Sequence, residues 1–234
     1  MATAGAVGVS GSVGHATSLA SRALYQVARV LLWVIAKVYW RMTISGREHI
    51  PASGPYIVAP VHRSIVDSLV ICAVTRRRLR YMGKAELWKP GAVSWFLYSL
   101  GGFPVRRGGA DREALRRCIE VIEMGEPLVI FPEGTRQSGE LVQELFEGAS
   151  FVAARTGVPI IPVGIGGSEA IMPKGSKMIR PGRIHLEIGP PIPAPAVPDG
   201  GRAPRRAIAE TTEHLYRDLQ VLFDSARRRV GSGP

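Results

Sequence analysis

The sequence predicts an α/β domain in which helices flank a mostly parallel central sheet, with an N-terminal membrane-interface helix before it. Three observations carry that expectation. From residue 42 onward, short apolar runs alternate with helix-length amphipathic stretches, the order of strands joined by helical crossovers. Hydrophobic residues make up 46% of the 234. That is enough for one domain of ordinary size to bury a core, and it excludes a wholly disordered chain. Neither a Gly period nor sustained heptads appear, which excludes collagen-like and coiled-coil chains.

Taken in order, residues 1–18 are small and Gly-rich without a charged side chain, and read as a disordered tail. They lack the basic-then-apolar order of a secretory signal. Residues 19–41 contain no Pro or Gly and read as a helix. Their longest uncharged run, Val30 to Ala36, is seven residues, against about 20 for a spanning helix. At ~100° per residue, Arg22, Gln26, Arg29, Lys37 and Arg41 fall within roughly a 120° arc, and the rest is mostly apolar with Tyr25, Trp33, Tyr39 and Trp40. A helix lying in a membrane interface has this make-up. A second apolar-aromatic patch, Trp88, Trp95, Phe96 and Tyr98, surrounds Lys89-Pro90-Gly91.

The domain proper spans 42–190. Strands are expected over 42–45, 56–59, 79–82, 128–131, 160–165 and 184–188, and helices over 64–75, 92–100, 111–124 and 147–156. Two prolines flank the apolar run Val158-Pro-Ile-Ile-Pro-Val163, which suggests an edge strand or a groove wall. Residues 191–204 read as a Pro-rich connector. Residues 205–234 read as an amphipathic helix, over 205–229, and a tail.

The charge is lopsided. Thirty Lys and Arg stand against 19 Asp and Glu, a net +11. That surplus favours an anionic partner: a nucleic acid, an anionic membrane or a phosphorylated substrate. Cys72 and Cys118 lie far apart in apolar surroundings without metal-ligand spacing, and read as buried, reduced thiols.

Three segments carry groups fit for chemistry. His62 follows the apolar run PYIVAP and lies five residues before Asp67. On one continuous helix the two would lie about 140° apart. They converge if the helix begins between them, and Ser64 is a good N-cap with Asp67 completing a capping-box pair. His62 then sits in the loop, with Asp67 in the first turn beneath it. A carboxylate there fixes the imidazole tautomer and leaves the other nitrogen free to take a proton from a hydroxyl. The second segment, Gly101-Gly-Phe-Pro-Val-Arg106-Arg107, places Arg in a loop before a helix, and a guanidinium fork grips phosphate. The third, Phe131-Pro-Glu133-Gly134-Thr-Arg136, follows a buried-strand pattern and makes a tight turn at a sheet's carboxyl edge, where ligands of open α/β sheets bind. Glu133 there is a candidate for a substrate hydroxyl and Arg136 for a phosphate.

In this order, His62–Asp67, Phe103–Arg106, Pro132–Arg136 and Val158–Val163 resemble the four blocks of the glycerolipid acyltransferase family, whose best-known members are 1-acyl-glycerol-3-phosphate acyltransferases. One position departs: the residue before the histidine, often Asn in the family, is Val61. The stretch at Lys84 is similar to a further Lys-containing segment. The resemblance implies transfer of a fatty acyl group from an acyl thioester to a glycerolipid hydroxyl. His62 is implied as general base, Asp67 as its orienting partner, and Lys84, Arg106, Glu133, Gly134 and Arg136 as substrate-binding. No metal or bound cofactor is implied; coenzyme A or acyl-carrier protein is a substrate. The thioester oxygen needs backbone donors, from Gly134 or from the helix start near Ser64. A monotopic or peripheral position on the cytoplasmic face of the cell membrane, held partly by anionic lipid, completes the expectation. Two alternatives stand beside it. One is a sibling enzyme for another lysophospholipid or glycolipid. The other is a non-catalytic basic membrane- or RNA-binding module, though no RNA-recognition signature appears.

Overall fold

The computed structural model describes residues 18–89, 91–105, 112–176, 178–197, 201 and 203–231. Its seven described strands are β1 (Thr43–Ser45), β2 (Ile57–Pro60), β3 (Arg80–Lys84), β4 (Gly102–Val105), β5 (Leu128–Val129), β6 (Ile160–Gly166) and β7 (His185–Ile188). They form one sheet in the order β1-β7-β6-β2-β5-β3-β4. The five strands from β6 to β4 are mutually parallel. β7 runs antiparallel to β6, and β1 parallel to β7. The helices are α1 (Leu19–Val38), α2 (Ile65–Val70), α3 (Ala92–Ser99), α4 (Arg112–Glu123), α5 (Gly148–Thr156), α6 (Ser168–Ile171) and α7 (Arg205–Gly231).

Every residue of β2 and β6 is buried, as expected of strands covered on both faces. The chain leaves β2 toward β3 and leaves β5 in the opposite direction toward β6. Right-handed crossovers therefore send α2 and α5 to opposite faces. α1 packs with α2 and α3, and α5 with α4 and α7. α7 lies directly on β6: a Cβ at Gly164 would sit 2.3 Å from the Leu222 backbone, and one at Gly166 2.4 Å from that of Ala226. The carboxyl ends of the parallel strands share one edge, and β2, β3 and β5 open there onto the candidate residues.

Several expected elements differ in detail. The helix over 64–75 is α-helical only to Val70 and tightens to a 3₁₀ turn over Ile71–Val74. β4 was not expected, because Gly101, Gly102 and Pro104 mask a strand pattern. It forms at the sheet edge, where Pro is tolerated, and the Trp88 ring covers the space a Cβ at Gly83 or Gly102 would take. β6 is an interior strand, not an edge. Pro162 lies opposite Gly189, just past the end of β7; its carbonyl accepts from the Gly189 N–H, and the one bond its missing N–H forgoes falls at the end of the β6–β7 pairing. The Pro-rich segment adds one antiparallel bridge, Ile192 to Ile160. Both cysteines are free and buried, and burial pushes their thiols up, to about 11 for Cys72 and about 12 for Cys118.

α1 is docked on the domain along one face. Ser21, Tyr25, Ala36 and, just beyond its end, Trp40 are buried. The Tyr25 hydroxyl accepts from the Leu79 N–H at 3.1 Å. The opposite face exposes Val27, Val30, Leu31, Val34 and Val38. By length and composition this helix is apolar enough to cross a membrane, which the count of its longest uncharged run alone does not indicate. In the second patch Trp95 and Phe96 are exposed, whereas Trp88 lies tilted against Tyr98 with centroids 5.8 Å apart.

Candidate active site

β2 ends at Pro60, and the Val61 N–H still reaches the Val163 carbonyl at 3.1 Å. The Val61 side chain is buried in the core, so the chain leaves the sheet at His62. Ser64 then caps α2 in extended conformation, and its Oγ accepts from the Val66 N–H. Asp67 closes the box from the first turn. Its Oδ2 accepts from the N–H groups of Arg63 (2.6 Å) and Ser64 (2.7 Å). The same oxygen lies 3.1 Å from His62 Nδ1. A carboxylate only accepts, so Nδ1 carries the proton and the lone pair of the neutral ring falls on Nε2. The ring stacks on Phe131 with centroids 4.0 Å apart and planes at 28°. Its side chain is 15% exposed, which leaves an edge open while the rest is fixed.

Beneath this loop lies a buried ion pair. Arg63 Nη1 donates to both oxygens of Glu133, at 2.8 and 2.7 Å. Glu133 also accepts from the N–H of His62 (2.9 Å) and of Gln143 (3.0 Å). Arg63 donates further to the carbonyls of His62, Gly139 and Leu141, and its guanidinium lies 4.8 Å from the Phe223 ring centroid. Both side chains are almost wholly buried. The pair holds His62 by both backbone groups, and the Gln137 N–H adds a second bond to the His62 carbonyl.

Residues 41–166, more than half of the chain, match the family model described as Acyltransferase. The chain belongs to the acyltransferase family. Among its curated relatives, the chloroplastic 1-acyl-sn-glycerol-3-phosphate acyltransferase BAT2 of Brassica napus is 28% identical over 69% of this chain and 48% of the relative. The 1-acyl-sn-glycerol-3-phosphate acyltransferase of Bacillus subtilis is 26% identical over 72% of this chain and 82% of the relative. The chain thus spans about half the length of the plant relatives it matches. The crystal structure of the 1-acyl-sn-glycerophosphate (LPA) acyltransferase PlsC from Thermotoga maritima matches with a TM-score of 0.68 at 25% identity, covering 90% of this chain and 86% of that one.

Within this member of the acyltransferase family, the expected site residues divide. His62 and Asp67 are brought together. Lys84 ends β3, exposed, in register with Val105 at the end of β4. Arg136 lies half-buried in the turn after β5, next to Gln137, whose N–H holds the His62 carbonyl. Arg106 lies outside the described residues. Glu133 is turned inward: its oxygens make four internal contacts, because the buried Arg63 charge needs a counter-charge. Gly134 is also engaged internally. Its N–H donates to the Phe131 carbonyl at 3.0 Å, so that donor closes the turn. Glycine is needed there for shape, with φ at 69° and the Phe146 ring 2.7 Å from where a Cβ would sit. The N–H groups of Arg63 and Ser64 are likewise taken, by Asp67. Sequence reasoning missed Arg63, whose partnership with Glu133 joins residues 70 apart in the chain.

Proposed function

We propose that this protein transfers a fatty acyl group from an acyl thioester to the free hydroxyl of a lysophosphatidic-acid-like glycerolipid. The observation that carries the reading is the His62–Asp67 pair, with Nδ1 held at 3.1 Å by a carboxylate already anchored by two backbone N–H groups. His62 Nε2 takes the acceptor hydroxyl proton as its oxygen attacks the thioester carbonyl. The tetrahedral intermediate collapses, the C–S bond breaks, and the imidazolium returns the proton to the departing thiolate. Asp67 stabilises the imidazolium in between. No enzyme nucleophile takes part; Cys72 and Cys118 are buried with raised thiol pKa values. Arg136, Lys84 and Arg106 grip the acceptor phosphate. The acyl carrier, coenzyme A or acyl-carrier protein, is a substrate, and the reaction calls on no metal or bound cofactor. The names of the relatives support the acceptor assignment.

The exposed apolar face of α1, with Trp95 and Phe96 of the neighbouring α3, supports a monotopic position on the cytoplasmic face of a membrane. The docked face argues for lying along the surface, since Tyr25 and Ala36 bind the helix to the domain. The test is thiol release from acyl-CoA with a panel of lysophospholipids. Release that depends on lysophosphatidic acid and is lost in a folded His62→Ala protein is expected. Preference for another acceptor would move the protein to the sibling reading, and no acceptor-dependent release would refute the reaction.

A further inference from the structure

The segment between α6 and β7 is absorbed neither by the sheet nor by the catalytic machinery. It forms a closed finger. The Arg180 N–H donates to the Ile171 carbonyl at 3.0 Å, which closes the base. The Ser176 N–H donates to the Pro173 carbonyl at 3.0 Å in a turn at the tip. Ser176 Oγ then accepts from the Met178 N–H and donates to its carbonyl. These local bonds hold Met178 65% exposed and Ile179 45% exposed. The composition is one-sided. Between Glu169 and Glu187 stand Lys174, Lys177, Arg180 and Arg183, with no Asp or Glu among them.

The base is tied at two places. On one side Trp40 Nε1 donates to the Arg180 carbonyl at 3.2 Å, and the Ile184 N–H donates to the Trp40 carbonyl. The finger is thereby fastened to the end of α1, where Val38 and Tyr39 are exposed. On the other side Ser64 Oγ donates to the Met172 carbonyl at 2.8 Å. Ser64 is the cap of α2, two residues from His62, and the adjacent Ile65 is 48% exposed. Exposed apolar residues thus stand at the end of α1, on the finger and beside the candidate site.

We infer that the described residues 172–176 and 178–180 form a second membrane-contacting element that seats Met178 and Ile179 in an anionic bilayer and opens the His62 site at the lipid surface. Exposed apolar residues flanked by basic ones suit a bilayer of anionic headgroups, since the side chains enter the acyl boundary while the cations stay with the phosphates. A protein partner lacks support in this charge pattern, which names no geometry beyond a negative surface. This inference deepens the proposed function and rests on it: an acyl-chain acceptor reaches His62 from the bilayer without crossing water.

The test uses the full chain with Met178→Cys, labelled with an environment-sensitive thiol fluorophore, and Val27→Cys on the exposed face of α1 as a second probe. The buried native cysteines leave the parent unlabelled, which is checked directly. Vesicles of phosphatidylcholine with phosphatidylglycerol should blue-shift and brighten the probe at 178, and pure phosphatidylcholine should do so less. A shift at position 27 without one at 178 overturns the finger and leaves the membrane reading standing. A shift at 178 alone supports the finger and removes α1 as the contact. No shift at either position refutes both. As a functional arm, Met178→Ser with Ile179→Ser should raise the KM for a vesicle-borne acceptor several-fold and leave that for a short-chain soluble acceptor unchanged. Equal change for both acceptors overturns the inference.

Discussion

Arg63 and Glu133, 70 residues apart in the chain, share two hydrogen bonds of 2.8 and 2.7 Å and hold the His62 backbone between them. The relationship turns a loop residue into a fixed one. Removing one member leaves an unpaired buried charge, at a cost of about 3–5 kcal/mol. Arg63→Met should therefore lower stability by about that much and lose most activity. Glu133→Gln should cost at least as much, because it leaves the Arg63 guanidinium, which cannot give up its proton, buried without a counter-charge. The double variant should be more stable than Arg63→Met alone, which a urea-denaturation cycle measures. Strict additivity of the two losses would mean the pair is not coupled.

The dyad calls for a second set of variants. His62→Ala should keep the fold, because the ring is partly exposed and its loop is held by backbone bonds. Turnover should fall by ~10²–10⁴-fold, the usual worth of a general base. Asp67→Asn is not its equivalent. Asp67 Oδ2 also accepts from the Arg63 and Ser64 N–H groups; an amide oxygen there lacks the charge that strengthens those bonds, and the amide NH2 would fall at the buried Oδ1 position, which has no acceptor. It should cost about 1–3 kcal/mol of stability in addition to activity. A melting temperature unchanged in Asp67→Asn would show that the loop does not depend on those bonds.

This difference also marks what was legible in the sequence. The Ser64–Asp67 box is local, a cap and a carboxylate three residues apart, so the convergence of His62 and Asp67 follows from helix geometry alone. The partnership of Arg63 with Glu133 is set by sheet order, because β5 lies beside β2 and no local pattern encodes that adjacency. The same reason hid the fate of Glu133, which looked open in a polar turn and is covered by a cation from the next strand. β4 was hidden by Gly102 and Pro104, whose strand conformation comes from pairing with β3 and from the Trp88 ring. β6 looked like an edge because its prolines suggest one, and only the register with β7 shows where the missing N–H falls. Docking of α1 through Tyr25 depends on the start of β3, more than 50 residues downstream, and its periodicity alone does not indicate it.

Arg136 is the place to test phosphate binding. Among the described residues it makes no ion pair, and it lies in the turn that supports the His62 carbonyl. Arg136→Lys keeps the charge and loses the bidentate fork. A charged hydrogen bond is worth about 1.5–3 kcal/mol, so the acceptor KM should rise roughly 10–100-fold while the thioester KM barely moves. Lys84→Ala should act in the same direction and more weakly, since an exposed ammonium on a flexible stem is well solvated without its ligand. Steady-state kinetics with each substrate varied in turn separates the cases. Equal effects on both substrates would assign these residues to the donor or to the turn.

The last prediction concerns the anchor, and the structure changes how it should be tested. Deleting residues 1–41 would remove Tyr25 and Trp40, which are buried in the domain, together with the hydroxyl that accepts from Leu79. Such a protein would fail for reasons unrelated to lipid. Substitutions confined to the exposed face avoid this. Val27, Leu31 and Val34 are 66%, 58% and 42% exposed and project away from the docked residues. Changing all three to Asp should leave thermal stability close to that of the parent. Membrane binding should fall steeply, because each buried Val or Leu contributes about 1.5–3 kcal/mol and each Asp adds repulsion from anionic headgroups. Sedimentation with anionic vesicles, read beside the melting curve, gives the answer. Release into the soluble fraction at unchanged stability would place the anchor on this face, and full retention would assign it to the other exposed apolar residues, Trp95 and Phe96 of α3 or Met178 and Ile179 of the finger.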